Sequence, residues 1–151
     1  MTREEKMKYL ITGGSGFIGS NFLNLMVPNH RDIQFFNVDA LTYAANNNNI
    51  IVSNYENYTF IQLDISDKEQ VNHLFSEIHP DVVINFAAES HVDQSIKNPE
   101  KFIYSNIIGT FNLLQAAYAS WKTYDQKRFH HISTDEVFGS LGTKGAFTEL
   151  T

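Results

Sequence analysis

The 151-residue chain has no cysteine, three prolines and a single tryptophan. Without cysteine there are no disulfide bonds, thiolate nucleophiles or zinc–thiolate sites, and a reducing compartment such as the cytoplasm is expected. Basic residues are also scarce, since 11 Lys and Arg face 17 Asp and Glu. The resulting net charge of −6 argues against a nucleic-acid partner. No apolar run approaches the ~20 residues of a membrane span, so no membrane partner is expected.

The composition that remains is typical of one globular domain. Hydrophobic residues make up 42% of the chain and charged residues 19%. A chain of this size buries roughly two thirds of its surface, which is enough for a stable core without covalent cross-links. Met1–Lys6 is polar and charged, and we interpret it as a leader or an expression remnant ahead of a domain that begins at Met7. No signal peptide is expected.

A string of glycines separates the apolar run Tyr9–Ile11 from a helix-like apolar pattern. The order of strand, tight turn and helix is typical of dinucleotide-binding folds, where glycines let the backbone approach a pyrophosphate at the helix N-terminus. Two registers are open: Gly13, Gly16 and Gly19 form G-x-x-G-x-x-G, and Gly14, Gly16 and Gly19 form the better-known G-x-G-x-x-G. The alternative is an ordinary flexible turn.

A second predicted strand, Ile33–Asp39, ends in an acid. Asp39 lies 20 residues after Gly19, which is the spacing at which an acid binds the adenosine ribose hydroxyls. A carboxylate there repels a 2′-phosphate, so NAD is favoured over NADP. The alternative is a turn aspartate at the end of a strand.

Strand and helix patterns alternate along the rest of the chain. Strands are predicted at 58–64, 82–88 and 129–133, and helices at 66–78 and 102–121. This order predicts an α/β fold with a doubly wound parallel, Rossmann-like sheet, in which ligands bind beyond the carboxyl ends of the strands. Asp64 and Ile65 then lie near an adenine, although the neighbouring Ser66 and Asp67 also look like a helix cap. Ala87 and Ala88 have small side chains, which would let a flat ring approach the backbone at the end of this strand.

Ser133–Gly139 follows the last predicted strand with hydroxyls and two adjacent carboxylates. Adjacent acids repel, and in a partly dry cleft one stays protonated, so Asp135 and Glu136 supply an acid and a base side by side. The alternative is a solvated acidic loop. His130 and His131 are neighbours in a strand and point to opposite faces, so they cannot chelate together, and no metal site is expected.

Four segments resemble those of a known family. They are Thr-Gly-Gly-Ser-Gly-Phe-Ile-Gly at 12–19, Asp-x-Leu-Thr-Tyr at 39–43, Ala-Ala-Glu-Ser-His-Val-Asp at 87–93 and His-Ile-Ser-Thr-Asp-Glu-Val-Phe-Gly at 131–139. From Met7 onward the chain resembles the extended short-chain dehydrogenases/reductases and, more narrowly, their nucleotide-sugar 4,6-dehydratases. The specific part is Thr134-Asp135-Glu136, since sugar epimerases of the same superfamily typically carry Ser and small residues there.

The resemblance implies NAD as the cofactor and a nucleotide-activated hexose, dTDP-glucose, as the substrate. It places the following residues at the cofactor: Gly13, Gly16, Phe17, Ile18, Gly19, Asp39, Ala40, Leu41, Thr42, Asp64, Ile65, Phe86, Ala87, Ala88, Glu89 and Ser105. Ser90 and Thr134 would contact the sugar, with Thr134 at its 4-hydroxyl. Asp135 would be the general acid and Glu136 the general base.

The implied reaction is an internal redox step of deoxysugar biosynthesis. NAD takes a hydride from C4, Glu136 removes the C5 proton, Asp135 protonates the departing 6-hydroxyl, and the hydride returns to C6. Two residues depart from the family pattern: Ala40 replaces a usual Lys, and Phe138 a usual Tyr. The family's Tyr-x-x-x-Lys falls after Thr151. Tyr118 and Lys122 have that spacing, but they lie on a helix before the catalytic strand, and we interpret this as coincidence.

Residues 7–151 are therefore expected to be an incomplete NAD-binding domain that lacks the substrate-binding domain. We expect this chain to be inactive alone and its longer parent to be a homodimer, with the apolar stripe of Phe102–Trp121 in the interface. Two alternatives stay open. One is another NAD-dependent nucleotide-sugar dehydratase or epimerase, and the other is a non-enzymatic NAD-binding module.

Overall fold

The computed structural model describes residues 6–151, so most of the proposed leader lies outside the described residues. Five parallel strands form one sheet in the order β3-β2-β1-β4-β5. They are β1 (Met7–Thr12), β2 (Ile33–Asp39), β3 (Tyr58–Gln62), β4 (Val82–Asn85) and β5 (Arg128–His131). The predicted doubly wound parallel sheet is confirmed, and three strands end two or three residues earlier than the sequence pattern indicates.

Helices connect the strands. They are α1 (Phe17–Asn29), α2 (Lys68–Ile78), α3 (Val92–Lys97), α4 (Pro99–Phe102) and α5 (Thr110–Ser120), and a π-helical segment, Ile103–Gly109, joins α4 to α5. The predicted start of α2 is corrected by two residues. Asp67 is its N-cap and accepts hydrogen bonds from the backbone N–H groups of Glu69 and Gln70, both at 3.1 Å.

The core has two layers, one on each face of the sheet. Leu10 and Val83 are fully buried against α2 and α5, while Ile11 and Ile84 are buried on the opposite face against α1. Neighbouring residues of one strand therefore point into different layers, as the period of two requires. β4 is buried along its whole length, which confirms the prediction that this run lies inside a parallel sheet.

The predicted apolar stripe of the long helix proves to be mostly exposed. Ile103, Ile107, Phe111 and Leu114 are between 45% and 61% exposed. The residues that face the protein are Gly109, Asn112, Leu113, Ala116 and Ala117. The stripe that is predicted to lie in a dimer interface is therefore mostly on the surface of residues 6–151, and the dimer itself stays a prediction. None of the described helices has the length and apolar character needed to traverse a bilayer.

Candidate functional site

The carboxyl ends of all five strands meet at one edge of the sheet, where a cavity of about 440 Å³ opens. Twelve of the predicted cofactor residues line it: Gly13, Gly16, Asp39, Ala40, Thr42, Asp64, Ile65, Phe86, Ala87, Ala88, Glu89 and Ser105. Their loops follow β1, β2, β3 and β4, apart from Ser105, which lies in the π-helical segment. Segments that are far apart in sequence thus form one continuous wall.

The turn between β1 and α1 is built around Gly13, which has a φ of +69°. A Cβ at this position would lie 2.5 Å from the backbone nitrogen of Ala87. The Gly13 N–H donates to the Val38 carbonyl at 2.9 Å, which ties the turn to β2. Only glycine satisfies both the left-handed backbone and this close approach.

The structure distinguishes the two glycine registers. Gly13 and Gly16 line the cavity, whereas Gly14 does not. A Cβ on Gly19 would overlap the Gly13 carbonyl oxygen, and one on Gly14 would overlap Asn37 Oδ1. G-x-x-G-x-x-G is therefore the register at the cavity, and Gly14 packs the turn against β2.

Asp39 ends β2 and is only 8% exposed. Its Oδ2 accepts a hydrogen bond from the Ser15 N–H at 2.9 Å, and its Oδ1 accepts one from the Leu41 N–H at 2.8 Å. The carboxylate thus fixes the glycine turn and the loop after β2. Each oxygen keeps a lone pair, which is what a vicinal pair of ribose hydroxyls needs.

Asn85 connects three strands at this edge. Its Oδ1 accepts hydrogen bonds from the Thr12 hydroxyl at 2.5 Å and from the Ala87 N–H at 3.1 Å. Its Nδ2 lies 3.2 Å from Thr110 Oγ1 and 3.1 Å from His131 Nδ1. With no exposure to solvent, this side chain sets the spacing between the ends of β1, β4 and β5.

The helix that runs behind the cavity holds two of the lining loops through asparagines. Asn106, in the π-helical segment, accepts from the Glu89 N–H at 2.8 Å and donates to the Glu89 carbonyl at 2.9 Å. Asn112 donates to the carbonyls of Ile65 and Ser66, both at 3.0 Å. Ile65 also packs on Gly109, where a Cβ would lie 2.5 Å from its Cγ1.

Sequence reasoning missed part of the lining. Lys101 and Tyr104 line the cavity beside Ser105, and Lys101 is the only cation among the described residues that do so. Within residues 6–151 its ammonium has no hydrogen-bond or ion-pair partner. A signal was available, because Lys101 and Ser105 are four residues apart and share one helix face.

Four predicted cofactor residues are not part of the cavity lining, and their contact with a cofactor stays a prediction. Phe17 and Ile18 are 81% and 61% exposed, because the first turn of α1 presents backbone N–H groups, not side chains, toward the turn. Gly19 packs α1 on the glycine turn. Leu41 has a φ of +54° and contributes its N–H to Asp39.

The candidate acid–base segment lies at the predicted sheet edge but outside the cavity. Asp135–Phe138 forms a 3₁₀ turn after β5, and Thr134, Asp135 and Glu136 are all exposed. The pKa of Glu136 is lowered, first by the Thr134 hydroxyl and then by its own backbone N–H and by Asp135. Within residues 6–151 these groups lie in solvent, so their acid–base role stays a prediction. The predicted sugar contact Ser90 is also exposed and outside the lining.

The coincidental Tyr-x-x-x-Lys spacing lies far from the cavity. The indole N–H of Trp121 donates to the Pro80 carbonyl at 2.8 Å, just before β4 begins. Tyr118 and Lys122 therefore flank the amino ends of the strands, opposite the cavity. Within residues 6–151 there is no cluster of three His, Asp or Glu side chains that could hold a metal ion.

A positive-φ glycine turn, an acid at the end of β2 and a cavity across the carboxyl edge define a nucleotide-binding domain of the Rossmann type. The model of the family described as GDP-mannose 4,6 dehydratase matches residues 10–151, and the chain belongs to this family. The resemblance to nucleotide-sugar 4,6-dehydratases inferred from the motifs is confirmed.

Named relatives and solved structures agree with this assignment. The chain is 48% identical over 149 residues to dTDP-glucose 4,6-dehydratase of Neisseria meningitidis serogroup B, covering 94% of this chain and 42% of the relative. The crystal structure of dTDP-glucose 4,6-dehydratase from Bacillus anthracis in complex with NAD is 40% identical, with a TM-score of 0.77 over 95% of this chain and 42% of that one. UDP-glucose 4-epimerase of Thermotoga maritima is 31% identical, with a TM-score of 0.67 over 76% and 35%. The chain thus spans less than half the length of these relatives.

Proposed function

We propose that this chain binds NAD and forms the cofactor-binding part of a nucleotide-sugar 4,6-dehydratase that acts on dTDP-glucose. The observation that carries the proposal is the single cavity wall shared by Gly13, Asp39 and Ala87 at the carboxyl edge of the sheet. The fit to a dinucleotide rests on two features. The absence of a Cβ at Gly13 lets the glycine turn lie directly against the Ala87 backbone in the cavity wall, and the fixed Asp39 carboxylate keeps acceptor capacity for ribose hydroxyls.

The catalytic part of the proposal concerns the loop after β5. NAD, when bound, supplies a hydride acceptor and donor. Thr134 orients the sugar through its 4-hydroxyl, Glu136 accepts the C5 proton, and Asp135 gives a proton to the departing 6-hydroxyl. β5 pairs with β4, so this loop and the predicted nicotinamide end of the cavity belong to neighbouring strands.

The solvation of this loop argues that the 151 residues alone do not catalyse the reaction. Glu136 has a lowered pKa and is exposed, whereas a proton-transfer pair needs groups held in a drier site. The Tyr118 and Lys122 pair lies at the other end of the sheet and cannot take the proton of the 4-hydroxyl. The solvated loop is also the observation that favours the second candidate function, a non-enzymatic NAD-binding module.

We also propose that two copies of the protein pack together through one face of the long helix. Ile103, Ile107, Phe111, Leu114 and Tyr118 are between 45% and 69% exposed along one side of the long helix. Apolar side chains repeated on one helix face are typical of helix-to-helix contacts. A second copy of the chain, packed through this face, gives the homodimer.

Calorimetric titration of the purified chain tests the cofactor assignment. We expect NAD to bind at least about tenfold more tightly than NADP, because Asp39 repels a 2′-phosphate. Equal affinities would contradict the role of Asp39, and no binding of either would overturn the proposal. The NAD-loaded chain is then incubated with dTDP-glucose and followed by NMR. We expect no 4-keto product, and its appearance would show that the exposed loop is competent.

A backbone NMR titration of the NAD-loaded chain with dTDP-glucose separates the dehydratase part from the NAD-binding module. The dehydratase assignment predicts shifts at the amides of Ser90 and Thr134. A binding module that takes no sugar nucleotide predicts unchanged spectra. UDP-glucose serves as the matched competitor, because a UDP-hexose enzyme would respond to it more strongly.

A further inference from the structure

One hydrogen bond joins loops on opposite sides of the cavity. The Tyr43 hydroxyl donates to Glu89 Oε2 at 2.8 Å. Tyr43 follows β2 and Glu89 follows β4, and β1 lies between these two strands in the sheet. The bond therefore spans the carboxyl end of β1, where Gly13 begins the glycine turn. Glu89 lines the cavity, and Tyr43 stands at its rim between the lining residues Thr42 and Ala44.

The Glu89 end of this bridge is firmly anchored. Asn106 bonds both backbone groups of Glu89, with distances of 2.8 and 2.9 Å. Asn106 belongs to the helical run that closes the back of the cavity, so the position of the Glu89 main chain is set by a helix and not by its own loop. The Glu89 side chain alone is left to reach across to the other wall.

The Tyr43 end is anchored on the opposite wall. The loop that carries it closes with a turn in which the Ala45 N–H donates to the Thr42 carbonyl at 3.0 Å, and the Asn46 N–H then donates to the Ser15 carbonyl at 3.0 Å. The Tyr43 ring also lies 6.0 Å from the His91 ring. The pKa of Tyr43 is raised, mainly because its hydroxyl donates to Glu89, so the donor proton stays in place at neutral pH.

We infer that the bond between Tyr43 and Glu89 is a latch that retains the dinucleotide, by tying the wall at the adenosine ribose to the wall that follows β4. The inference rests on the proposed function. A dinucleotide lying along the carboxyl edge from Asp39 to Ala87 passes under the bridge. It leaves the cavity freely only after the bond opens. A cofactor that takes and returns a hydride within one turnover gains from such retention, because release of the reduced form would end the cycle early.

The test measures the dissociation rate of NADH, followed by its fluorescence after mixing the loaded chain with excess NAD. Tyr43→Phe removes the hydroxyl and keeps the ring, so contact with His91 persists. We expect dissociation to become about three- to tenfold faster, the loss of one hydrogen bond to a charged group at a solvent-exposed site. Because the bond is already present without ligand, association should become faster by a similar factor, and the affinity should change by less than about twofold.

Tyr124→Phe is the matched control, because it makes the same chemical change on an exposed tyrosine that does not line the cavity. Its dissociation rate should equal that of the unchanged chain. Glu89→Gln alone should also speed release, and the double variant Tyr43→Phe/Glu89→Gln should be no faster than the faster single variant, because both remove one bond. Thermal unfolding without ligand verifies that the variants are folded.

Two results would overturn the latch. The first is an unchanged dissociation rate in Tyr43→Phe, and the second is a faster dissociation with no faster association, which would make Tyr43 a direct contact of the ligand and not a latch. If the effects of the two substitutions on the dissociation rate add up in the double variant, Tyr43 and Glu89 act independently and the shared bond is refuted. If the unchanged chain binds no NADH at all, both the proposed function and the latch fail. If NADH binds but its dissociation rate does not depend on Tyr43, only the latch is refuted.

Discussion

Replacing Gly13 with alanine is expected to damage both the fold and the cavity. The φ of +69° is left-handed, a conformation that costs an L-residue roughly 1–2 kcal/mol. The new Cβ would also meet Ala87 N at 2.5 Å, Ala87 Cα at 2.6 Å and the Phe86 carbonyl carbon at 2.8 Å. All three atoms are backbone and cannot rotate away, and overpacking of this kind costs a further ~1–3 kcal/mol.

The total expected loss is therefore about 2–5 kcal/mol of the free energy of unfolding, or roughly 5–15 °C in Tm. Moving the turn away from β4 also strains the hydrogen bonds from Gly13 N to Val38 O and from Phe86 N to Thr12 O, each 2.9 Å long. Urea denaturation followed by circular dichroism measures the free energy, and calorimetric titration of the folded fraction measures NAD binding. Both should decline together.

Two other glycines make the experiment specific. A Cβ at Gly142 has nothing within 4 Å, so Gly142→Ala should stay within about 0.5 kcal/mol of the unchanged chain. A Cβ at Gly16 has only the Gly13 carbonyl oxygen nearby, at 3.3 Å, so Gly16→Ala should weaken NAD binding with little loss of stability. If Gly13→Ala unfolds at the same urea concentration as Gly142→Ala, the close approach of the turn to β4 is not what holds this edge together.

Three further outcomes follow from single side chains. Asp39→Asn keeps one acceptor oxygen but turns an N–H₂ group toward a backbone N–H. It should lower the free energy of unfolding, measured in urea, by about 2 kcal/mol and reduce the preference for NAD over NADP. An unchanged cofactor preference would contradict the ribose role of Asp39. Lys101→Met should weaken NAD binding about three- to tenfold at low salt, and the difference should become smaller at high salt because ions screen the charge. The control Lys122→Met should leave NAD affinity unchanged at both salt concentrations. Burial acts to raise the pKa of Asp81, but the Lys127 ammonium and the Lys8 N–H outweigh it and the pKa is lowered. The contribution of Asp81 to stability is therefore fully present above its pKa in the unfolded chain, near 4. This contribution is lost as the pH falls through its lower pKa in the folded protein. Asp81→Asn should flatten the acid limb of stability against pH.

The sequence pattern predicted the glycine turn and the acid at the end of β2, because each depends on residues that are close together in the chain. Gly13 and Gly19 are recognisable because a tight turn and a close helix contact each demand glycine at a fixed distance along the chain. Asp39 is recognisable because it ends a predicted strand and lies 20 residues after Gly19. The parallel sheet follows from the alternation of segments, and the convergence of their carboxyl ends follows from the sheet.

What the sequence did not reveal depends on side chains that meet from distant segments. Asn85 bonds Thr12 across 73 positions, and Tyr43 bonds Glu89 across 46. No periodicity encodes such pairs. The side of the long helix that faces the protein was not predicted either, because Gly109, Asn112 and Ala116 are small or polar and form no apolar stripe.

The two halves of the candidate site also differ in how far they are preorganised, and this difference has a physical cause. Asp39, Asn85 and Glu89 each have their polar partners in place, so the walls of the cavity stand ready without a ligand. Asp135 and Glu136 stand in solvent, and the pKa of Glu136 is lowered, mainly by the Thr134 hydroxyl. An acid–base pair with separated pKa values needs burial, and no group that contacts this loop within residues 6–151 provides it. Cofactor binding and proton transfer should therefore separate experimentally, with the first present in a chain that lacks the second.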